Sequence, residues 1–308
     1  MIEYYFKTAK EENFLNLGTP RDGCWIHIEE ATMLDLEQIC QLTSLEISDL
    51  QDCLDKYEIP RIEKVKNAVL IFTRHPIELD VAVGLYTATL TMIMTSHYFI
   101  TISPQKNPII RNFIGRKNKL STIQRSKLMI HVFLRVIQEF MTQIRRVRHT
   151  VMTQEKQMNR VESEEIATLT RHEEILNQYL QTLEPTHNVL EGVTSGRYTN
   201  LYEKDQELLE DLSLAVKQSE DLCTIAVKSI RSLRDSYQII FTNNLHRTIK
   251  LLTALTIIFN IPTIIASVYG MNVELPFSKD THAFVIVMTG IILFSLFALL
   301  FFRRKRWL

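Results

Sequence analysis

Two long uncharged runs near the end of the chain limit its fold more than any other feature. Residues 251–270 and residues 283–302 each contain 20 positions without Asp, Glu, Lys or Arg. A helix of that length crosses the hydrocarbon core of a bilayer, which is about 30 Å thick. Buried helices of a soluble core are the alternative, but such helices rarely continue this far without a charge. We therefore expect a membrane protein with two transmembrane helices.

The basic segment after the second run predicts the orientation. Residues 303–306 read RRKR and Trp307 follows them. Positive residues beside a span stay in the cytoplasm, and Trp suits the membrane interface. Two spans then place both termini in the cytoplasm, with residues 271–282 as a short outer loop. The expected location is a bacterial plasma membrane, crossed more than once.

Composition excludes some functions and favours long helices. The 35 basic and 35 acidic residues give a net charge of zero, which is not typical of a nucleic-acid binder. Eight Gly and eight Pro are few for 308 residues. The four cysteines lack metal-type or redox-type spacing, so we expect reduced thiols at Cys24, Cys40, Cys53 and Cys223. The first residues contain no uninterrupted apolar segment, so no signal peptide is expected.

The first run differs from the second because small and polar residues recur along it. They follow one another at spacings of three or four and include Thr253, Thr256, Asn260, Thr263, Ser267 and Gly270. That heptad-like spacing keeps one face toward a partner helix or a shared axis. The same phase reaches Ile249 below the run. We call these six residues the polar stripe.

The polar stripe has two interpretations. Small and hydroxylated residues let membrane helices pack closely. Alternatively, the stripe lines a water-filled path, which Asn260 favours because an amide in the membrane needs water or a partner. Two spans cannot enclose a pore, so the second interpretation requires a ring of identical chains.

The sequence YGMN, residues 269–272, ends the first run and carries a resemblance. A long charged segment precedes that run, a short loop follows it, and the chain ends in RRKRWL. This arrangement resembles the CorA-type family of magnesium channels. The resemblance implies a mainly α-helical homopentameric funnel with an N-terminal α/β domain. It also implies a long stalk helix that continues into the first of two transmembrane helices, five of which line the pore.

The resemblance implies seven segments. They are a cytoplasmic α/β domain (1–120), long antiparallel cytoplasmic helices (121–195), a stalk helix (196–248), a pore-lining span (249–270), an outer loop (271–282), a second span (283–302) and a basic cytoplasmic tail (303–308). No Gly or Pro occurs between Gly196 and Pro262. A single helix over residues 197–269 would be roughly 110 Å long.

The family signature also implies a selectivity filter at Gly270, Met271 and Asn272. Mg²⁺ binds oxygen and gives up its water reluctantly. A ring of Asn272 amides would hydrogen-bond the hydrated ion without binding it tightly, whereas carboxylates would release it slowly. Glu274 in the outer loop would concentrate cations, or is an ordinary loop charge.

Two further expectations concern the pore wall and its regulation. By resemblance the polar stripe is the pore wall, but Asn260 departs from the family, which is commonly apolar at that level. We therefore expect an apolar gate lower, near Ile249 and Leu252. Family members sense intracellular Mg²⁺ through acidic residues between subunits, and Asp52 and Asp211 match those positions. The alternative for each Asp is a solvated surface charge.

The first hundred residues predict a sheet with packed helices. Residues 24–30, 68–74 and 85–102 are rich in β-branched and aromatic residues and predict strands, whereas residues 31–42 have helical spacing. Scarce Gly and Pro predict three later helices near 121–156, 160–183 and 197–270.

The expected function is Mg²⁺ influx through a pentamer, with Mg²⁺ as both transported and regulatory ion. Partners are other copies of the chain, the lipid membrane and divalent cations, and no nucleic acid. A transporter of Zn²⁺, Co²⁺ or Ni²⁺ with the same fold is the alternative. The sequence shows no HExxH pair, phosphate loop or Ser, His and Asp set, so an enzyme anchored by two spans is less favoured.

Overall fold

The computed structural model describes residues 2–80, 84–157, 163–196, 198, 203–273 and 282–307. The chain divides into two compact units. One consists of Met1–Asn159 with Ala167–Ser232, and the other of Arg160–Ile166 with Leu233–Leu308. Helix α6, Glu203–Tyr269, is a single element that contributes to both units.

The first unit contains a mixed sheet. Its described strands are β1 (Ile2–Phe6), β2 (Leu15–Leu17), β3 (Trp25–Glu29), β4 (Arg61–Val65), β5 (Ala68–Asp80), β6 (Leu85–Met94) and β7 (Phe99–Ser103). They lie in the order β2-β1-β3-β7-β6-β5-β4. Strands β3 and β7 pair in parallel, and the other neighbours pair antiparallel. The strands predicted in residues 24–30, 68–74 and 85–102 are confirmed.

The described helices surround and extend this sheet. They are α1 (Met33–Leu42), α2 (Ile47–Leu50), a 3-10 helix (Gln51–Leu54), α3 (Pro108–Ile114), α4 (Arg125–Gln157), α5 (Ser163–Thr194), α6 and α7 (Ala283–Arg304). The helix expected in residues 31–42 is α1, and the three later predicted helices are α4, α5 and α6. Their existence is confirmed.

The predicted end of the second long helix is wrong. Pro185 lies inside α5, which continues to Thr194. A proline removes one backbone bond, but side chains on both sides of it are buried, Leu183 and Val189 among them. The hydroxyl of Thr186 also donates to the Thr182 carbonyl at 2.7 Å. Packing of this buried face outweighs the local cost of the proline.

Both faces of the sheet are covered, which explains why its central strands are buried throughout. Every residue of β3 and β7 is buried. On one face, Ile26 and Ile28 share a core with Leu36 and Ile39 of α1. The opposite face of β3 carries Trp25, His27 and Glu29, because successive side chains alternate in a strand. Polar groups therefore lie in the interior and need internal partners.

Those partners link β3 to neighbouring elements. The Thr101 hydroxyl lies 2.9 Å from both Trp25 Nε1 and His27 Nδ1. The Arg111 Nε of α3 donates to the Glu29 carboxylate at 2.6 Å, and the Asn107 backbone amide donates to the same carboxylate. The α/β unit is thus fixed by buried polar contacts as well as by its apolar core.

Candidate functional site

The second unit contains the apolar parts of α6 and α7. Both helices are long and apolar enough to cross a membrane, with mean hydropathies of 2.0 and 2.8 over their best windows. Only 6% of each window is buried inside the chain, whereas the core helix of a soluble protein is mostly buried. Their surfaces are therefore available to lipid or to other copies of the chain.

One side of each helix is partly buried within the second unit. On α7 the buried and half-buried positions recur at helical spacing: Val287, Ile291, Ser295, Ala298 and Phe302. On α6 the fully buried Ala254 aligns with the half-buried Ile258, Ile261 and Ile265. Positions three or four apart lie on one side of a helix, so these residues form two facing surfaces.

The polar stripe lies on the other side of α6. All six of its residues are exposed in the single chain. At 3.6 residues per turn, the stripe is centred about 180° from the face that includes Ala254. Ile249 and Leu252 lie on the stripe side and are 51% and 65% exposed. The stripe therefore does not serve the contact between α6 and α7 within one chain.

Hydroxyl groups in the stripe donate to their own helix. Thr256 Oγ1 donates to the Leu252 carbonyl at 2.9 Å, and Thr263 Oγ1 donates to the Phe259 carbonyl at 3.0 Å. Once its hydrogen is used in this way, a hydroxyl has only lone pairs to offer outward. These threonines can accept hydrogen bonds from water or from the hydration shell of a cation.

Helix α6 ends at Tyr269, the first residue of the YGMN sequence. The Gly270 amide donates to the Ala266 carbonyl at 3.0 Å, and the Met271 amide donates to the Val268 carbonyl at 3.2 Å. Residues 270–273 are all exposed. Asn272 thus lies at the end of the polar stripe, while Glu274 and most of the expected outer loop lie outside the described residues.

Among the described residues of one chain, nothing requires glycine at position 270. A Cβ there would lie 3.4 Å from the Ala266 carbonyl oxygen and 3.5 Å from the Ser267 carbonyl oxygen, which is close to ordinary contact. Any close approach that favours glycine at this position must come from outside the described residues.

The first candidate regulatory residue, Asp52, is already paired. Asp52 lies in the 3-10 helix, and its Oδ2 accepts a hydrogen bond from Arg61 Nη2 at 2.8 Å. Arg61 also pairs with Glu58 and, at 2.7 Å, with Glu63, and it lies 4.0 Å from the ring centroid of Phe72. Partial burial lowers the pKa of Arg61, but the bond to Glu63 and the charge of Glu58 outweigh it, so the pKa is raised.

Sequence reasoning did not find Arg61. It follows Asp52 by nine positions across a turn, and that spacing corresponds to no helix or strand period. Its only signal was the acidic residues on either side of it. Carboxylates are suitable Mg²⁺ ligands. Asp52 must first lose its ion pair with Arg61 before it can bind the ion.

The second candidate, Asp211, lies on α6 and is exposed. Among the described residues, no group of three or more His, Cys, Asp or Glu side chains is arranged to hold a metal ion. A cytoplasmic metal site at Asp52 and Asp211 stays a prediction.

Comparison with known proteins identifies the family. Residues 21–304 match the family described as CorA-like Mg2+ transporter protein. The chain belongs to the CorA family. Its membership makes it a divalent-cation transport protein of membranes.

Relatives and solved structures agree with this assignment. The chain is 25% identical over 301 residues to the cobalt/magnesium transport protein CorA of Methanocaldococcus jannaschii, covering 92% of this chain and 91% of that protein. The complete structure of the CorA magnesium transporter from the same organism has a TM-score of 0.77 at 20% identity, covering 100% and 99% of the two chains. The expected fold of an α/β domain, a long helix and a second apolar helix is thereby confirmed.

A second solved structure shares part of the fold. The cytoplasmic domain of ZntB from Vibrio parahaemolyticus has a TM-score of 0.61 at 9% identity, covering 77% of this chain and 96% of that domain. At that identity the likeness concerns the fold alone. It leaves open which divalent cation this CorA-family chain transports.

Proposed function

We propose that five copies of the chain form a channel that conducts Mg²⁺ into the cell across the plasma membrane. The position of the polar stripe is the observation that supports this most directly. It lies on the side of α6 away from the buried Ala254, where the described part of the chain offers it no partner helix. A ring of α6 helices would turn six levels of small or polar groups toward a common axis.

In this assembly, residues 249–270 line the pore and residues 283–302 form the outer span. Thr256 and Thr263 would offer oxygen lone pairs to the waters around the ion. Ile249 and Leu252 would form an apolar constriction below the polar levels, which gates by excluding water. Residues 1–248 and 303–308 would face the cytoplasm, since the basic tail follows the second span.

Asn272 would form the entrance. Five carboxamides offer neutral oxygens that bind the hydrated ion weakly enough to release it. Gly270 would allow the five helix ends to approach one another, which agrees with the finding that no described residue of its own chain requires glycine there. An inside-negative potential supplies about 2.3 kcal/mol per charge per 100 mV.

Regulation would come from Mg²⁺ bound between the α/β units of neighbouring chains. Asp52 of one chain and Asp211 of the next would share the ion, holding the ring closed. Loss of the ion would favour the open state through differential binding. Glu274 would attract cations at the outer end.

Ion flux into proteoliposomes tests the proposal. Asn272→Ala should lower Mg²⁺ influx by at least about 10-fold, since a hydrogen bond to a charged group contributes about 1.5–3 kcal/mol. The matched control is Asn244→Ala, which removes an exposed amide from the same helix below the span. Equal flux in wild type and Asn272→Ala, or cross-linking that yields only monomers, would overturn the channel.

The same vesicles distinguish the ion. The relative from Methanocaldococcus jannaschii is named for cobalt as well as magnesium. We expect Mg²⁺ influx in the absence of other divalent ions, with Co²⁺ and Ni²⁺ as competitors. Influx of Zn²⁺ without influx of Mg²⁺ would mean that Zn²⁺, and not Mg²⁺, is the substrate.

A further inference from the structure

A basic cavity lies beside the end of α7, within the second unit. Its volume is about 920 Å³, and it is lined by Asn243, His246, Arg247, Thr248, Lys250, Leu251, Arg306 and Trp307. Among the described residues, no carboxylate lines the cavity and no acidic side chain pairs with Arg247, Lys250 or Arg306. The cavity therefore concentrates positive charge without a counter-ion from the part of the chain that the structure describes.

The depth of the cavity matches that of lipid head groups. On α6, Lys250 directly precedes the uncharged run that starts at Leu251. On α7, the second uncharged run ends at Phe302, four residues before Arg306. Both apolar spans therefore stop at this level, where the hydrocarbon core gives way to phosphate groups. Trp307 is typical of the same interface.

The cavity faces away from the polar stripe. Asn243, Arg247, Lys250 and Ala254 are spaced by four, three and four residues and so lie on one side of α6. Ala254 is fully buried and belongs to the surface of α6 that we assign to the contact with α7. The basic side chains thus continue the surface between α6 and α7, and a shared pore on the stripe side would leave them facing lipid.

The backbone at Arg306 adopts a strained conformation, and the turn that it forms brings the tail to the cavity. Arg306 has a φ of 56°, the left-handed region in which glycine is favoured. Its amide donates to the Arg303 carbonyl at 3.1 Å, and the Trp307 amide donates to the Phe302 carbonyl at 3.0 Å. The rings of Phe302 and Trp307 stack with centroids 5.4 Å apart. These contacts form a Schellman motif, which returns the tail toward α6.

An arginine at this position costs backbone energy that a glycine would avoid, so its side chain needs a separate explanation. We propose that Arg247, Lys250 and Arg306 bind the phosphate of an anionic phospholipid, in the leaflet beside the basic end of the spans. Guanidinium groups bind phosphate oxygens in pairs, and basic pockets between membrane helices suit such head groups. The volume is sufficient for a glycerophosphate head group.

Lipid titration of the purified full-length protein tests this site. Short-chain brominated phosphatidylglycerol should quench Trp307, because this residue lines the cavity, while Trp25 is fully buried in the other unit. Brominated phosphatidylcholine should quench it far less. The double variant Arg247→Gln/Arg306→Gly should lower the apparent affinity for phosphatidylglycerol about 30-fold, equivalent to about 1 kcal/mol per cation.

The variants are chosen to separate binding from folding. Glycine suits the backbone at position 306, so Arg306→Gly alone should keep the turn and still weaken binding. Arg303→Gln/Arg304→Gln removes two charges from the same tail without touching the cavity, and it should change the affinity less than about 3-fold. Equal losses of lipid affinity in the two double variants would mean that the tail attracts lipid by its charge in general. That result would overturn the proposed site.

The source of the phosphate is tested in the same titration. Inorganic phosphate should not displace the brominated lipid. Displacement by inorganic phosphate would mean a site for soluble anions and would overturn the lipid assignment, as would equal quenching by the two lipids. Quenching is measured without ion flux, so loss of this lipid site and failure of the proposed channel give separate results.

Discussion

Arg61 lies 2.8 Å from the carboxylate of Asp52 and holds that group in an ion pair. The same guanidinium contacts Glu58 and Glu63, so three carboxylates share one cation. A divalent cation that binds Asp52 must compete with this arginine. The pair would therefore set the concentration at which a cytoplasmic Mg²⁺ site fills.

Replacing Arg61 should strengthen Mg²⁺ binding at this position. We expect Arg61→Gln to lower the Mg²⁺ concentration that half-inhibits transport by about 5-fold, because a half-exposed ion pair contributes up to about 1 kcal/mol. Transport into vesicles loaded with graded Mg²⁺ measures it. Lys66→Gln is the control, since Lys66 pairs with Glu46 in the same unit at 2.7 Å. Equal responses of the two variants would exclude Asp52 from the sensor.

A threonine of the polar stripe should matter more than an equivalent threonine on α7. Thr263 and Thr289 are both exposed, and each donates to the carbonyl four residues earlier, at 3.0 Å and 2.7 Å. Thr263→Val should reduce flux by at least about 5-fold through the loss of an outward acceptor worth about 1 kcal/mol, whereas Thr289→Val should not. Flux in proteoliposomes at matched protein content measures both. A larger loss in Thr289→Val would place the conducting surface elsewhere.

Enlarging Ala254 should disturb the contact between α6 and α7. Ala254 is fully buried, so Leu at this position would overpack the surface and cost about 1–3 kcal/mol. Thermal unfolding of the detergent-solubilised protein should show a lower midpoint for Ala254→Leu. Ala266→Leu is the control because Ala266 is exposed on the same helix. Equal midpoints for the two variants would contradict the assigned facing surfaces.

The α/β unit should lose stability as the pH falls from about 6.5 to about 4. Burial lowers the pKa of His27 and of His75 to about 4. Unfolded histidines take up protons below about pH 6.5. The folded ones stay neutral, so each contributes stability that is present above that pH and is lost as the pH approaches 4. The loss is on the order of 3 kcal/mol for each histidine.

The charges near His27 and His75 do not reverse the lowering of their pKa values. Glu29 favours the protonated form of both, whereas Arg111 opposes protonation of His27 and Arg74 opposes that of His75, and desolvation exceeds all of them. Urea unfolding followed by Trp25 fluorescence measures the effect. His27→Gln/His75→Gln should flatten the pH profile, and His97→Gln, at an exposed histidine, should not. A wild-type stability independent of pH in this range would refute the assignment.

Local patterns predicted most of the elements, because their signals lie within a few residues. The β-branched residues of β6 and the absence of Gly and Pro between Gly196 and Pro262 are signals of this kind. Pro185 misled the prediction because burial of Leu183 and Val189 depends on distant parts of the chain. The short strands β1, β2 and β4 were not predicted individually, since they become strands by pairing with neighbours.

The candidate site also combines local features, which the sequence predicted, with contacts between distant residues, which it did not predict. Helical spacing placed Thr256 and Thr263 on one exposed face, since periodicity within one helix is local. The pairing of Arg61 with Asp52 depends on a turn between two elements. The cavity between Arg247 and Arg306 depends on the contact of two helices far apart in sequence, and no spacing rule connects them.

The unbroken course of α6 has a mechanical consequence. Its backbone hydrogen bonds continue from the segment that bears Asp211 to the turn before Asn272, without an intervening loop. A helix without a loop transmits torsion along its backbone. Pro262 omits one bond of that ladder and is the point of least stiffness within the run of residues 251–270. A torsional change that travels along α6 would thus be absorbed first at this proline.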